Sequence, residues 1–319
     1  MPLPIKTFVR ASRAPYGYYI AKSAIGLRLA DGKPIHLFGF AFGREEAEVA
    51  QRSVYELKER FYACYDVWKG ASDKGEVLDM HHWLTHEKTG ECPAHNLLFH
   101  HVTAGSSPLL DSNGMAWYSN LKGALNHAIM ESFERHMLSL VWYYGAPLYL
   151  ISSEKLDGEY KVCTYSTLNE IPFALTVVEQ EVEGIWLCGS SVAHCMDVSI
   201  EKSKREAFML LDGILFGEDG KLNPSHSGKR LASLSQEKVS MFRSLHFSKL
   251  IVGRRYSSQK SSDFMRWFDC TGIDAYKLRY CALKNDAEGA LVRVIHPNLL
   301  NPKSLRGICG DEIPDDPFC

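Results

Sequence analysis

The chain has 319 residues, 45% of them hydrophobic and 23% charged, with a formal net charge of −2. That is the composition of an ordinary globular protein with enough chain to bury a sizeable core. A pI near 6.7 argues against a general nucleic-acid surface, although a local basic groove stays compatible with it. The nine cysteines are odd in number and scattered, with no Cys-x-x-Cys pair, which points to reduced thiols rather than a disulfide framework or a zinc site.

The opening Met1-Pro2-Leu3-Pro4-Ile5-Lys6 has no apolar stretch of the secretory kind, so a cytoplasmic protein is expected. A strand-like run covers Tyr18–Leu29, and helical periodicity follows over Arg44–Trp68. His81, His82, His86, His95, His100 and His101 crowd the next region. Their spacing fits neither a Cys/His zinc site nor His-Glu-x-x-His, so loop or packing roles are expected. Thr103–Gly114 is rich in chain breakers and reads as a loop. A second helical pattern covers Leu121–Tyr144. The longest apolar stretch of the chain, around Met137–Ile151, is too short and too interrupted by Gly145 and Pro147 to span a membrane. Strand-like runs at Pro172–Val182 and Gly184–Leu187 precede a third helix over Val198–Phe216. Gly217–Lys229 reads as a loop, Gln236–Leu245 as a helix, Ala290–Ile295 as a strand, and the chain from Asn301 onward as a tail. Strands and long helices mix along the whole length. The expected fold is therefore α/β or α+β, one domain over residues 1–319, with mixed or antiparallel sheets and packed helices.

An internal repeat is the informative feature. Glu56 and Glu131 are 75 residues apart, and the same step reaches Glu206. Ser53 then matches Ala128 and Ser203, and Glu59-Arg60 matches Glu134-Arg135. Each helix follows a strand-like run and a stretch of small residues: Gly39–Gly43, Gly114–Ala116 and Cys188–Ser191. These stretches are expected to be turns, giving three strand–turn–helix units.

In Glu56-Leu57-Lys58-Glu59-Arg60 two acids share a helix face, and Glu131-Ser132-Phe133-Glu134-Arg135 repeats the pattern. Like charges three apart repel mildly, so stability alone does not favour them. One such motif is common on solvated surfaces; two in a repeated unit, the second within an apolar helix, point to something cationic between them. Mg²⁺ takes carboxylate oxygens together with water and phosphate oxygens, and nearby arginines pair with phosphate. Two such pairs facing each other would hold Mg²⁺ on a triphosphate.

These residues resemble the YcaO family. The stretch Gly114-Met115-Ala116-Trp117-Tyr118-Ser119-Asn120, with Ala124 and Ala128–Arg135, looks like its central motif. Val54–Phe61 resembles its first Glu-x-x-Glu-Arg helix, Ser199–Ala207 its third helix, and Leu291–Pro297 its late strand. Within the family the sequence is most similar to the D proteins of thiazole/oxazole-modified microcin synthetases, and Leu138–Tyr143 adds to that likeness. The resemblance implies an ATP site without a Walker loop, and no Gly-x-x-x-x-Gly-Lys-Ser/Thr occurs. It implies Glu56, Glu59, Glu131 and Glu134 as Mg²⁺ ligands, and Arg60, Ser119, Arg135, Lys202 and Glu206 around ATP. It also implies a precursor-peptide substrate, a partner protein that captures the leader peptide, and an FMN-dependent azoline dehydrogenase as a further partner.

Two departures bear on the nucleotide. Phe42 stands where relatives often carry a lysine, and Met209 where they often carry glutamine. The ending Pro314-Asp315-Asp316-Pro317-Phe318-Cys319 resembles the proline-rich tail of azoline-forming relatives, whose terminal carboxylate reaches the active site. By that likeness Cys319, at the end of the 311–319 tail, is the catalytic base; a solvated acidic terminus is the alternative. The expected activity is ATP-dependent cyclodehydration of Cys, Ser or Thr in a peptide. Thioamide or amidine formation, and a non-catalytic scaffold, stay open.

Overall fold

The computed structural model describes residues 4–28, 34–64, 77–98, 113–156, 159–167, 170–180, 185–217, 249–250 and 263–300. The described residues fold into two compact units, those within 4–10, 19–132 and 274–300 forming the first and those within 11–18 and 133–273 the second.

In the first unit, β1 (Lys6–Ala11), β2 (Tyr19–Arg28) and β3 (Pro34–Gly43) form a three-stranded sheet in that order. Strands β2 and β3 are antiparallel, with Lys22 opposite Phe40 and Ala24 opposite Phe38. Helix α1 (Glu46–Ala63) packs on β2 and β3. Its Val49 meets Ala21 and Ala41, and its Leu57 meets Ile25 and Leu37. Glu46 and Glu48 in its first turn suit the positive end of the helix dipole. A second sheet has the order β5 (Lys88–Pro93), β4 (Val77–His82), β12 (Arg279–Asp286), β13 (Gly289–Ile295), β6 (Met115–Tyr118), and the pairings described for it are antiparallel. Helix α1 also packs against β6, β12 and β13, where Tyr55, Tyr62 and Ala63 join Met115, Trp117, Cys281 and Leu291.

In the second unit the order is β10 (Ile185–Val192), β9 (Phe173–Gln180), β8 (Tyr160–Ser166), β7 (Tyr149–Leu156), β11 (Lys249–Leu250). Only the short β11 pairs in parallel among the described strands of this sheet. Strand β9 is buried on both faces, which explains its near-continuous apolar run. Helix α3 (Met196–Gly217) packs on β9 and β10. Helix α4 (Phe264–Thr271) starts at an Asp263 cap, whose carboxylate accepts from Met265 N–H, and ends at Gly272 in the left-handed region.

Helix α2 (Leu121–Tyr144) runs through the unit boundary and is buried on most of its surface, including Ala124, Ala128, Ile129, Phe133, Met137 and Val141. An apolar helix of that kind was expected from its sequence.

The repeat is real, but the first and third of its small-residue stretches are strand, not turn. Residues 39–43 lie inside β3 and residues 188–191 inside β10. The reason is close approach of a helix to a strand. A Cβ on Gly39 would lie 2.1 Å from Ser53 O and 2.4 Å from Leu57 N, and one on Gly189 would lie 2.4 Å from Ser203 O and 2.5 Å from Ala207 N. Gly114, one step of 75 from each, is a true turn with φ of 68° and has Ser132 Oγ 2.6 Å from its missing Cβ. A hydroxyl relay is duplicated as well. Thr7, Ser23 and Ser53 are linked at 2.8 and 2.7 Å, ending on Ala50 O; Thr164, Thr176 and Ser203 are linked at 3.2 and 2.8 Å, ending on Ile200 O.

Helix α1 is shorter than its periodicity predicts, ending at Ala63. Gln236–Leu245 and the 311–319 tail with Cys319 lie outside the described residues.

Candidate functional site

The first unit carries Glu56, Glu59, Arg60, Ser119 and Glu131; the second carries Glu134, Arg135, Lys202 and Glu206. In the first unit, α1 brings Glu56 and Glu59 onto one face. Glu56 Oε2 accepts from Phe40 N–H at 2.7 Å, and its Oε1 takes Arg60 Nη2 at 2.5 Å. Glu59 Oε2 accepts from Trp117 N–H at 3.2 Å, its only hydrogen bond among the described residues, so Oε1 is open to a further partner.

Both carboxyls are held above the ordinary range. Burial raises Glu56, against the pull of Arg60 and the Phe40 N–H. Burial, then the charge of Glu56, pushes Glu59 up to about 8, while the Trp117 N–H and Arg60 pull it down. Although 32% of the Glu56 side chain is exposed, its carboxyl is surrounded by protein mass, and water solvates it poorly. Two adjacent acids in such surroundings would gain from a nearby cation.

Trp117 is held in turn. Tyr62 stacks on it at 5.0 Å and 12°, and the Lys58 ammonium lies 5.3 Å from its ring centre. Lys284 lies 4.5 Å above Tyr62, and Tyr62 donates to Glu288. Ser119 is exposed and accepts from Asn120 Nδ2 at 3.4 Å, while Asn120 caps α2 by accepting from Gly123 N–H.

In the second unit one residue joins two acids. Ser190 donates its N–H to Glu206 Oε2 and its hydroxyl to Glu134 Oε1, each at 2.7 Å. Arg135 and Lys202 are half-buried on α2 and α3. The anchors of the two units correspond: Phe40 N–H holds Glu56, Ser190 N–H holds Glu206, and each donor sits 16 residues before its acid on an edge strand. A sequence reading misses Phe40, Trp117 and Ser190 because all three hold an acid through a backbone N–H group. The spacing of 16 residues, two repeat steps apart, was the available signal.

The donor set fits Mg²⁺. It consists of carboxylate oxygens, each acid described in detail having one oxygen anchored by a backbone or hydroxyl donor. Among the described residues no three His, Cys, Asp or Glu side chains close into a cage.

Phe42 is buried in β3 and its carbonyl accepts from Arg52 Nη1 at 3.2 Å; Met209 is half-buried on α3. Among the histidines, His81 stacks on Tyr280, His86 Nδ1 lies 2.9 Å from Tyr280 Oη, and His82 stacks on Tyr276. No helix among the described residues is long and apolar enough to cross a membrane.

The family model of YcaO cyclodehydratases, described as ATP- and Mg²⁺-binding, matches residues 42–175. The YcaO resemblance holds. The matched span contains Glu56, Glu59, Glu131 and Glu134, while Lys202 and Glu206 lie beyond it. A chain of the E. coli microcin synthetase McbBCD complex with bound pro-MccB17 is similar to this one at TM-score 0.67 and 15% identity, covering 92% of this chain and 87% of that one. YcaO from Methanopyrus kandleri, bound with AMPPCP and Mg²⁺, is similar at TM-score 0.61 and 13% identity, covering 98% and 90%. A heterocyclase in complex with substrate and cofactor is similar at TM-score 0.62 and 12% identity, covering 89% of this chain and 48% of the other. Identities this low establish the YcaO fold alone. No curated protein matches the sequence.

Proposed function

We propose that this YcaO-type chain is the ATP- and Mg²⁺-dependent cyclodehydratase of a peptide-modifying assembly. The observation that carries the reading is the pair Glu56 and Glu59, two poorly solvated acids anchored by Phe40 and Trp117 N–H groups, whose burial raises the proton affinity of both. Such a pair gains most when a divalent cation replaces the missing solvation. Glu56, Glu59, Glu131 and Glu134 are assigned to Mg²⁺; Arg60, Arg135, Lys202, Glu206 and Ser119 are assigned to ATP. When bound, Mg²⁺ supplies charge neutralisation along the triphosphate.

In the proposed reaction a substrate Cys, Ser or Thr side chain attacks the carbonyl carbon of the preceding amide. The amide-derived oxygen then takes the γ-phosphoryl of ATP, releasing ADP. Inorganic phosphate leaves with that oxygen as the nitrogen gives up its proton, and the C=N bond that forms turns the already closed ring into an azoline. The chain contributes position and charge: Arg135 and Lys202 stabilise the transferring phosphoryl group, and Ser190 holds Glu134 and Glu206 in register. The carboxylate of Cys319 is assigned as the proton acceptor. The likeness to chains of a microcin synthetase complex and of a substrate-bound heterocyclase supports a precursor peptide as substrate and a leader-binding protein as partner. An azoline dehydrogenase using FMN would act on the product, and a cytoplasmic setting is expected. Thioamide or amidine formation would use the same ATP chemistry.

The test is isothermal titration of Mg·ATP into the chain and its Glu131→Gln variant, followed by ATP hydrolysis with partner and peptide present. Binding lost in the variant and hydrolysis dependent on peptide support the reading. The second reading, a non-catalytic scaffold, is favoured by Phe42, buried where relatives carry lysine. Absence of binding and hydrolysis in the assembled complex would establish it.

A further inference from the structure

Charge is unevenly placed along this chain. Residues 1–44 hold seven Lys and Arg against one Asp, leaving 29 against 37 for the remainder. The basic stretch is the three-stranded sheet, and β1, β2 and β3 contain no acid at all. One face of this sheet is spent on α1. Ala21, Ser23, Ile25, Leu37 and Ala41 point to it, and Thr7 and Val9 join them. Strand alternation therefore puts Lys6, Phe8 and Arg10, then Lys22 and Arg28, then His36, Phe38 and Phe40 on the opposite face.

That face is aromatic and cationic: Lys6, Phe8, Arg28 and His36 are exposed, Arg10, Lys22, Phe38 and Phe40 are half-buried, and only Phe42 at the end of β3 is buried. Phe8 is 66% exposed, a large figure for a phenylalanine on a strand. His36 stacks on Phe38 at 6.4 Å, and Phe38 neighbours Phe40 at 6.4 Å, so a row of rings runs along β3. The Lys22 ammonium lies 4.1 Å from the centre of Phe38 and 5.5 Å from that of Phe40.

We propose that this sheet face docks an extended acidic segment of a partner protein, with carboxylates on Lys22 and its neighbouring cations and aliphatic side chains on Phe8 and Phe38. The inference does not rest on the cyclodehydratase reading. Charge complementarity selects the partner: the three strands supply cations and no acid of their own, inside a chain that is otherwise acidic. Nucleic acid fits less well. Lys22 already lies across Phe38 and Phe40, so these rings are not open platforms for bases, and the acidic remainder of the chain opposes a long polyanion. Outward side chains recur roughly every 6.6 Å along a strand, which matches the same-side spacing of an extended peptide.

The probe is a fluorescein-labelled peptide of alternating Glu and Leu, followed by anisotropy against the full chain. A Lys/Leu peptide and an oligothymidylate of equal length are run beside it. The acidic peptide is expected to bind saturably and to weaken roughly tenfold between about 50 mM and about 300 mM salt. Lys22→Glu is expected to weaken it about tenfold, and Phe8→Ser with Phe38→Ser several-fold at both salt concentrations. Equal binding by wild type and Lys22→Glu, or no saturable binding, overturns the proposal. Tighter binding of oligothymidylate that Lys22→Glu abolishes overturns it in favour of nucleic acid. Carbodiimide coupling to the wild-type chain keeps the test independent of variant folding. Cross-links at Lys6 or Lys22 support the docking surface, and cross-links confined to other lysines overturn it.

Discussion

Replacing Glu59 by Gln removes one charge and keeps the side chain's size and its acceptor for Trp117 N–H. In the folded, metal-free protein this carboxyl is pushed from 4.5 up to about 8, chiefly by burial and then by Glu56. Because the folded value is raised, the folded chain keeps a proton that the unfolded chain releases between pH 4.5 and about 8. Stability is therefore greatest below this window and falls as pH rises through it. At about 1.36 kcal/mol per pKa unit, the full shift sets a ceiling of about 5 kcal/mol. Glu56 titrates with its neighbour, so the pair shares this cost, and about 2–3 kcal/mol is expected to be relieved by Glu59→Gln alone. For a chain of 319 residues that corresponds to roughly 3–5 °C in melting temperature. In buffer with a chelator, scanning calorimetry should give similar melting temperatures for the two proteins near pH 5 and a higher one for Glu59→Gln above pH 8. Mg·ATP should then raise the wild type and leave the variant almost unmoved. Parallel melting curves from pH 5 to pH 9 would refute the argument, because they would mean that Glu59 is well solvated.

The other predictions concern the anchors and the packing. Ser190→Ala removes the hydroxyl bond to Glu134 but keeps the N–H bond to Glu206, and should weaken Mg·ATP by roughly tenfold, about the value of a charge-assisted hydrogen bond, read by titration calorimetry. Gly189→Ala sets a methyl 2.4 Å from Ser203 O, a backbone atom, and should cost about 3 kcal/mol or more in urea unfolding; a smaller loss would mean that α3 shifts freely on β10. Tyr62→Leu removes the stack on Trp117 and should cost about 1 kcal/mol, with a measurable loss of Mg²⁺ affinity because Trp117 positions Glu59. Timed iodoacetamide labelling with peptide mapping should modify exposed Cys270 long before Cys281, which is buried and pushed up to about 12.

Much of this protein was legible in its sequence because the signals were local. Apolar spacing marked α1, α2 and α3, and the step of 75 residues marked three equivalent acids whose helices follow equivalent strands. The hairpin β4–β5, strands β1, β7, β8 and β12 and the short helix α4 were not legible. Their side chains do not alternate cleanly, because their burial depends on which sheet receives them. The glycine stretches were misjudged for a related reason. Gly39 and Gly189 look like turn residues, yet they are strand positions emptied of side chains so that a helix backbone can approach.

By itself, then, the sequence determined which acids repeat, which helices carry them and that α2 is an apolar, buried helix, since spacing along a chain sets spacing along a helix. Only the tertiary structure decided that Phe40, Trp117 and Ser190 hold those acids, and that Glu59 is driven toward its protonated form. Hydrogen bonds from backbone N–H groups carry no side-chain signature, and desolvation depends on the protein mass around a carboxyl, which exists only after folding.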